Sequence, residues 1–252
     1  MSYDLLIKNG RVVDGTGGPS YRGDVAVANG KIVEIGKLSG TAKETVDARG
    51  QVVAPGFIDN HCHYDAQVTW DPLCSYSCDH GATSVIFGNC SLSLAPVHKD
   101  RAKQRRLSEF LSYVEAIPME VLDTLEFTWE RFPDYLDQMD RNLGVNVGNL
   151  IGHTAVRYYV MGDDCQKRTA SDDEIKQMQG LVREGIEAGA LGLSVSRNQG
   201  HFDPQGVHIP ALWADEKEIF ALADVLRELG TGLIQSGGGN GAETKDGLMS
   251  RL

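Results

Sequence analysis

The chain has 252 residues, 41% hydrophobic and 23% charged, which suits a globular protein with a substantial core and excludes disordered and fibrous classes. Its 24 Lys and Arg stand against 35 Asp and Glu, and a formal charge of -11 repels phosphate backbones and anionic lipid heads, so neither nucleic acid nor membrane is expected as a partner. No apolar run reaches the roughly 20 residues of a membrane span, and the N-terminus lacks the basic start and apolar stretch of a secretory signal, so the chain reads as cytoplasmic.

Residues 1–51 read as a small β module. Leu5-Leu6-Ile7 leads through Asn9-Gly10 to Val12-Val13, and Asp24-Val25-Ala26-Val27 leads through Asn29-Gly30 to Lys31-Ile32-Val33-Glu34-Ile35. Asn-Gly between short β-branched runs predicts a hairpin, because both residues tolerate positive φ.

From 52 to 252 short buried strands alternate with helices. Predicted strands cover 52–59, 83–87, 145–151, 190–195 and 231–234, nearly continuous apolar runs of the kind parallel strands show when covered on both faces. Ser171-Asp172-Asp173-Glu174 is a capping box, followed by Ile175, Met178, Leu181, Val182 and Ile186 on one helical face. A second helix follows Asp215 and stops at Gly230. The stretch from Lys99 to Arg141 reads as two or three helices broken at Pro118 and Pro133. This alternation means α/β, as a barrel or an open sheet. An eight-fold barrel takes about 250 residues by itself, and only five βα starts are found after residue 51, so the expectation is half a barrel or a different sheet.

The five cysteines, Cys62, Cys74, Cys78, Cys90 and Cys165, are an odd number, which favours free thiols or metal ligands over a disulfide framework. Cys74 and Cys78 read as packing on a helix. The informative segment is Pro55-Gly56-Phe57-Ile58-Asp59-Asn60-His61-Cys62-His63. On a strand His61 and His63 point one way and Cys62 the other, so two imidazoles at a strand's C-terminal end form a pincer for a divalent transition metal. Cys90, in Gly88-Asn89-Cys90-Ser91, follows the next strand on the same side, and its thiolate would complete such a site. Read alone, these residues suit equally a pair of packed or surface histidines and a buried structural cysteine.

Together, the β module, Pro-Gly-Phe-Ile-Asp-x-His-x-His and Thr-x-Val-x-x-Gly-Asn-Cys resemble the amidohydrolase superfamily, and within it the N-acyl-D-amino-acid deacylase (D-aminoacylase-like) branch. The likeness continues through Gly152-His153, Val160-Met161-Gly162 and Gly189 to Ser194. Related hydantoinases use a carboxylated lysine on the fourth strand, and 190–196 has none. The resemblance implies a (β/α)8 TIM barrel, of which 52–252 would be the first half, beside a β-sandwich to which 1–51 contributes. It implies one or two divalent metal ions, Zn2+ first, with His61, His63 and Cys90 as ligands. A strand-six histidine and the catalytic aspartate of strand eight would lie beyond Leu252. Where the branch places a strand-five histidine, this chain reads Leu233-Ile234-Gln235-Ser236-Gly237-Gly238.

His153, after the third strand, is a candidate substrate contact at the barrel mouth, or a histidine bonded within its loop. Ser196 and Arg197 follow the fourth strand, where the guanidinium would bind a substrate carboxylate or face solvent. His201 and His208 lie in a covering loop. Gly237 to Gly241 lacks the ending of a phosphate loop. The implied function is metal-dependent hydrolysis of a C–N bond, deacylating an N-acyl amino acid, a small-molecule amide, through a zinc-activated water. The alternatives are a cyclic-amide hydrolase, a deaminase, or a fragment without activity of its own. Half a barrel would expose strand edges, so pairing with a second copy or with a missing C-terminal half is expected.

Overall fold

A computed structural model describes residues 2–237 and divides the chain after Phe57 into two compact units. The sequence expectation put this boundary at 51/52. The difference arises because Val52-Val53 still belongs to the first unit's sheet.

In the first unit the central strand is β1 (Ser2–Val12), with β2 (Tyr21–Ala28) and β3 (Lys31–Gly36) antiparallel on one side. On the other edge β4 (Thr41–Asp47) runs parallel to the first part of β1 and β5 (Val52–Val53) to its end. Asn29 (φ 51°) and Gly30 (φ 71°) make the expected hairpin between β2 and β3. Asn9-Gly10 does not turn the chain. Asn9, at φ 62°, instead makes a bulge inside β1, shifting the register between Ile7 and Gly10 while its N–H is held by Asp24 and its side chain by Asp47. Tyr3, Leu6, Ala26 and Leu38 form the small core. Among the described residues the unit is a single sheet.

The sheet of the second unit has five strands in consecutive order, β6 (Phe57–Asp59, its first residue at the unit boundary), β7 (Ala82–Phe87), β8 (Asn146–Gly152), β9 (Gly192–Ser196) and β10 (Leu233–Gly237), with β7 to β10 parallel. Sequential parallel strands need long crossovers, and helices supply all but the first, where two short helical turns lie between β6 and β7. The β7–β8 crossover carries α1 (Arg101–Glu115), α2 (Met119–Leu122) and α3 (Phe132–Asp137), the next carries α4 (His153–Met161) and α5 (Asp172–Glu187), and the last carries α6 (Glu216–Leu229). Val85, Phe87, Ile151, Leu193 and Val195 from the strands pack with Phe110, Met178, Val182, Leu222 and Val225 from the helices.

Local chemistry sets the helix ends. Ser171 and Glu174 form the capping box of α5, and Asp215 caps α6, which ends at left-handed Gly230. The prolines act at helix starts: Pro118 is the N-cap of α2, and Pro133 sits in the first turn of α3, where a missing N–H costs nothing. Cys74 is buried in a left-handed turn (φ 47°) and not on a helix, and Cys78 opens a single helical turn. All five cysteines are free. No helix among the described residues is long and apolar enough to cross a membrane.

Candidate metal centre

Strand β6 ends at Asp59, so His61 and His63 lie just past it and not on it. The segment is tied to the sheet because the Cys62 N–H donates to the Ile86 carbonyl of β7 (3.2 Å), and the Cys62 thiol reaches the same oxygen at 3.1 Å. Cys62 thereby packs against the core, while the flanking imidazoles turn together, with ring centroids 5.5 Å apart.

Strand β7 ends at Phe87, and Gly88 follows at φ 85°. A Cβ there would lie 2.1 Å from the Leu150 carbonyl oxygen, so the loop leaves the sheet with its backbone against β8. The Asn89 amide then donates to the Cys62 and Ile86 carbonyls, at 3.3 and 2.9 Å, tying the loop to the histidine segment. The result sets Cys90 Sγ 3.3 Å from His61 Nε2. The donor atoms of His61, His63 and Cys90 all lie within 4.8 Å of one another.

The electrostatics fit a cation. Burial pushes the Cys90 thiol up to about 12, with Glu115 and Asp65 adding to the shift, and pushes the buried Asp65 carboxyl up to about 7. Glu115 is raised by burial as well. All three groups are anionic when deprotonated, and among the described residues no lysine or arginine pairs with the two carboxyls. Burial, then the neighbouring His61 and His201, hold His63 down to about 4, leaving it neutral as a ligand must be. Its Nδ1 is buried without a hydrogen-bond partner, and its Nε2 lies 3.3 Å from Glu115 Oε2 at the end of α1. Two imidazoles and a thiol, one nitrogen of them unsatisfied, match the ligand preference of zinc.

The other expected site residues divide. Ser196 is buried at the end of β9, its hydroxyl 3.0 Å from His201 Nδ1. A Cβ on Gly237 would meet Ser196 Oγ at 3.4 Å and Cys90 Sγ at 3.7 Å, so Ser196 borders the metal-ligand cluster. Arg197 donates from Nη1 to the Ala214 carbonyl. His153 departs from the substrate role expected of it. It is wholly buried, with Nε2 2.7 Å from Glu218 Oε1, and Arg157 donates to the other carboxylate oxygen of Glu218. That network joins α4 to α6. Glu115 was not foreseen: nothing in the sequence ties a helix end to a histidine 52 positions earlier. Of the glycine run, residues 238–241 lie outside the described residues.

The amidohydrolase family pattern matches residues 44–249. D-aminoacylase of Alcaligenes xylosoxydans xylosoxydans is 36% identical over 223 residues, 86% of this chain and 40% of that protein. A solved D-aminoacylase structure concerned with the role of its binuclear metal centre is 33% identical, with a TM-score of 0.74 over 92% of this chain and 44% of its own. The N-acyl-D-glutamate deacylase of Bordetella bronchiseptica, complexed with zinc and a phosphonate mimic of the tetrahedral intermediate, is 30% identical, with a TM-score of 0.78 over 97% of this chain and 47% of its own. The chain spans 33% to 41% of the length of the curated deacylases and other first relatives that it matches.

Proposed function

Because this chain belongs to the amidohydrolase family, we propose that it is the metal-binding part of a hydrolase that cleaves a C–N bond, deacylating an N-acyl amino acid. The observation that carries the proposal is the convergence of two imidazoles and one thiol within 4.8 Å at the ends of neighbouring strands. The five strands in consecutive order support a reading of the second unit as the first staves of a (β/α)8 barrel, whose active sites gather at the strands' C-terminal ends. The identities of 36% to D-aminoacylase and 35% to N-acyl-D-aspartate deacylase support the substrate class.

His61, His63 and Cys90 would hold one zinc ion. When bound, zinc lowers the pKa of its water to about 7 and polarises a carbonyl. The protein's own residues do the rest. Burial keeps His63 neutral and ready to ligate. Glu115 stands at its Nε2 and orients the ring. The Ser196 hydroxyl and Arg197 guanidinium, at the end of β9, are the proposed contacts for the substrate's carboxylate.

Metal analysis of the purified protein beside His63→Ala tests the centre: wild type holding no more zinc than the variant would overturn it. Assaying N-acyl-D-amino acids beside cyclic imides and adenine separates deacylation from ring opening and deamination.

A further inference from the structure

Cys90 and Ser91 are consecutive non-glycine residues in the left-handed region, at φ 55° and 65°. Such positions are strained for a residue with a side chain and persist only where the surroundings impose them. The surroundings here are two side chains from distant strands. The Cys90 N–H donates to Gln235 Oε1 at 3.3 Å, and the Ser91 N–H donates to Ser194 Oγ at 2.9 Å. The Ser194 hydroxyl in turn donates to Gln235 Oε1. Ser194 on β9 and Gln235 on β10 are register partners, so their side chains stand side by side on one face of the sheet.

Resting on the metal-centre reading above, we propose that Gln235 and Ser194 are positioning residues that aim the Cys90 sulfur at the metal. The Gln235 carbonyl oxygen has two lone pairs, and its two donors, an N–H and an O–H, occupy both. Gln235 is therefore not a metal ligand, although it stands beside one. It acts through the backbone of Cys90. Each amide of the strained pair has its own acceptor, and the two acceptors are bonded to each other, so neither residue can relax toward ordinary backbone angles without breaking the chain of bonds. Ser91 is fixed from its other side too: its hydroxyl is 2.9 Å from Thr154 Oγ1, and its carbonyl accepts from the Thr154 N–H at 3.0 Å. The sulfur's direction thus depends on where β9 and β10 dock.

The test is cobalt(II) loading of wild type, Cys90→Ser, Gln235→Leu, Gln235→Glu and Ser194→Ala, following the sulfur-to-cobalt charge-transfer absorption and the cobalt affinity, with circular dichroism as the control for folding. Wild type is expected to show the thiolate band and Cys90→Ser to lack it. Gln235→Leu should retain the native circular dichroism yet lose about 10- to 100-fold in affinity, the usual cost of an outer support, with an altered band. Gln235→Glu, which keeps an acceptor oxygen, should recover most of both. If Gln235→Leu fails to fold, Ser194→Ala carries the same expectation. Wild-type band and affinity in folded Gln235→Leu or Ser194→Ala would overturn the clamp while leaving the centre intact. Absence of a thiolate band in wild type would instead overturn the centre, and the clamp with it.

Discussion

The Nε2 of His61 and the Sγ of Cys90 stand 3.3 Å apart, yet neither residue belongs to a strand. The contact is made by two short segments that leave adjacent strands, one tied to β7 by Cys62 and the other turned by Gly88. If the pair shares a metal, Cys90→Ser should lose most of its zinc on dialysis against a weak chelator. Its far-ultraviolet circular dichroism should match wild type, since Ser is smaller and the loop's bonds run through backbone. Retention of wild-type zinc would count against the sulfur as a ligand.

Gly88→Ala is expected to be costly. The residue sits at φ 85°, where a side chain costs roughly 1–2 kcal/mol, and its Cβ would collide with the Leu150 carbonyl oxygen. A loss of more than about 2 kcal/mol in urea unfolding is expected, together with weaker metal binding as the Cys90 loop shifts. An unchanged denaturation midpoint would contradict this placement of the loop on β8.

The buried Glu218 is the counter-charge of Arg157 and the partner of His153. Burial pushes its carboxyl up, but the bonds to His153 and Arg157 outweigh that and hold it below its usual range. Glu218→Leu would strand a wholly buried guanidinium and should cost about 3–5 kcal/mol. The double variant Arg157→Met/Glu218→Leu should recover much of that loss, because no unpaired charge remains. Chemical denaturation of the three proteins decides it.

Glu174 is held down to about 2, first by its bond with Arg168, against an ordinary value of 4.5. Its folded-state pKa is depressed, so its contribution is fully present above about pH 4.5 and is lost as the pH falls through about 2. Glu174→Gln should therefore be less stable than wild type at neutral pH, and the gap should narrow on acidification below pH 4.5. A gap that stays constant down to pH 2 would show that Arg168 does not stabilise the ionised form.

Much of this fold was legible because its signals are local. The capping box at Ser171, the stop at Gly230 and four of the five apolar runs became the expected kinds of element with ends shifted by a few residues, while the run over 52–59 split into β5 and β6, which belong to different sheets. Asn-Gly shows where local signals run out. The same dipeptide is a hairpin at Asn29 and a bulge at Asn9; an aspartate from another strand accepts from each backbone N–H, and at Asn9 the side chain is held as well, by Asp47 of β4. The site behaves likewise. His61, His63 and Cys90 were legible as candidates from residue type and spacing, and only the resemblance to a family singled them out as ligands. Glu115 and the bonds of Gln235 did not, since a carboxylate ending a helix or an amide on a strand has no distinctive pattern until tertiary packing chooses its neighbour. His153 misled for the same reason: its position after a strand suggested an open rim, but Glu218, 65 positions later, captures it.

His61 and Cys90 are separated by 29 positions, whereas the amide that steadies Cys90 arrives from 145 positions downstream. Closing the first loop costs less chain entropy than closing the second, by roughly 1.4 kcal/mol on logarithmic scaling. An ion caught by the two early segments would act as a short-range cross-link while the remaining strands are still unpaired, and only the docking of the last of them would tune its coordination. Capture and calibration of the ion would then be separate events in the maturation of the chain.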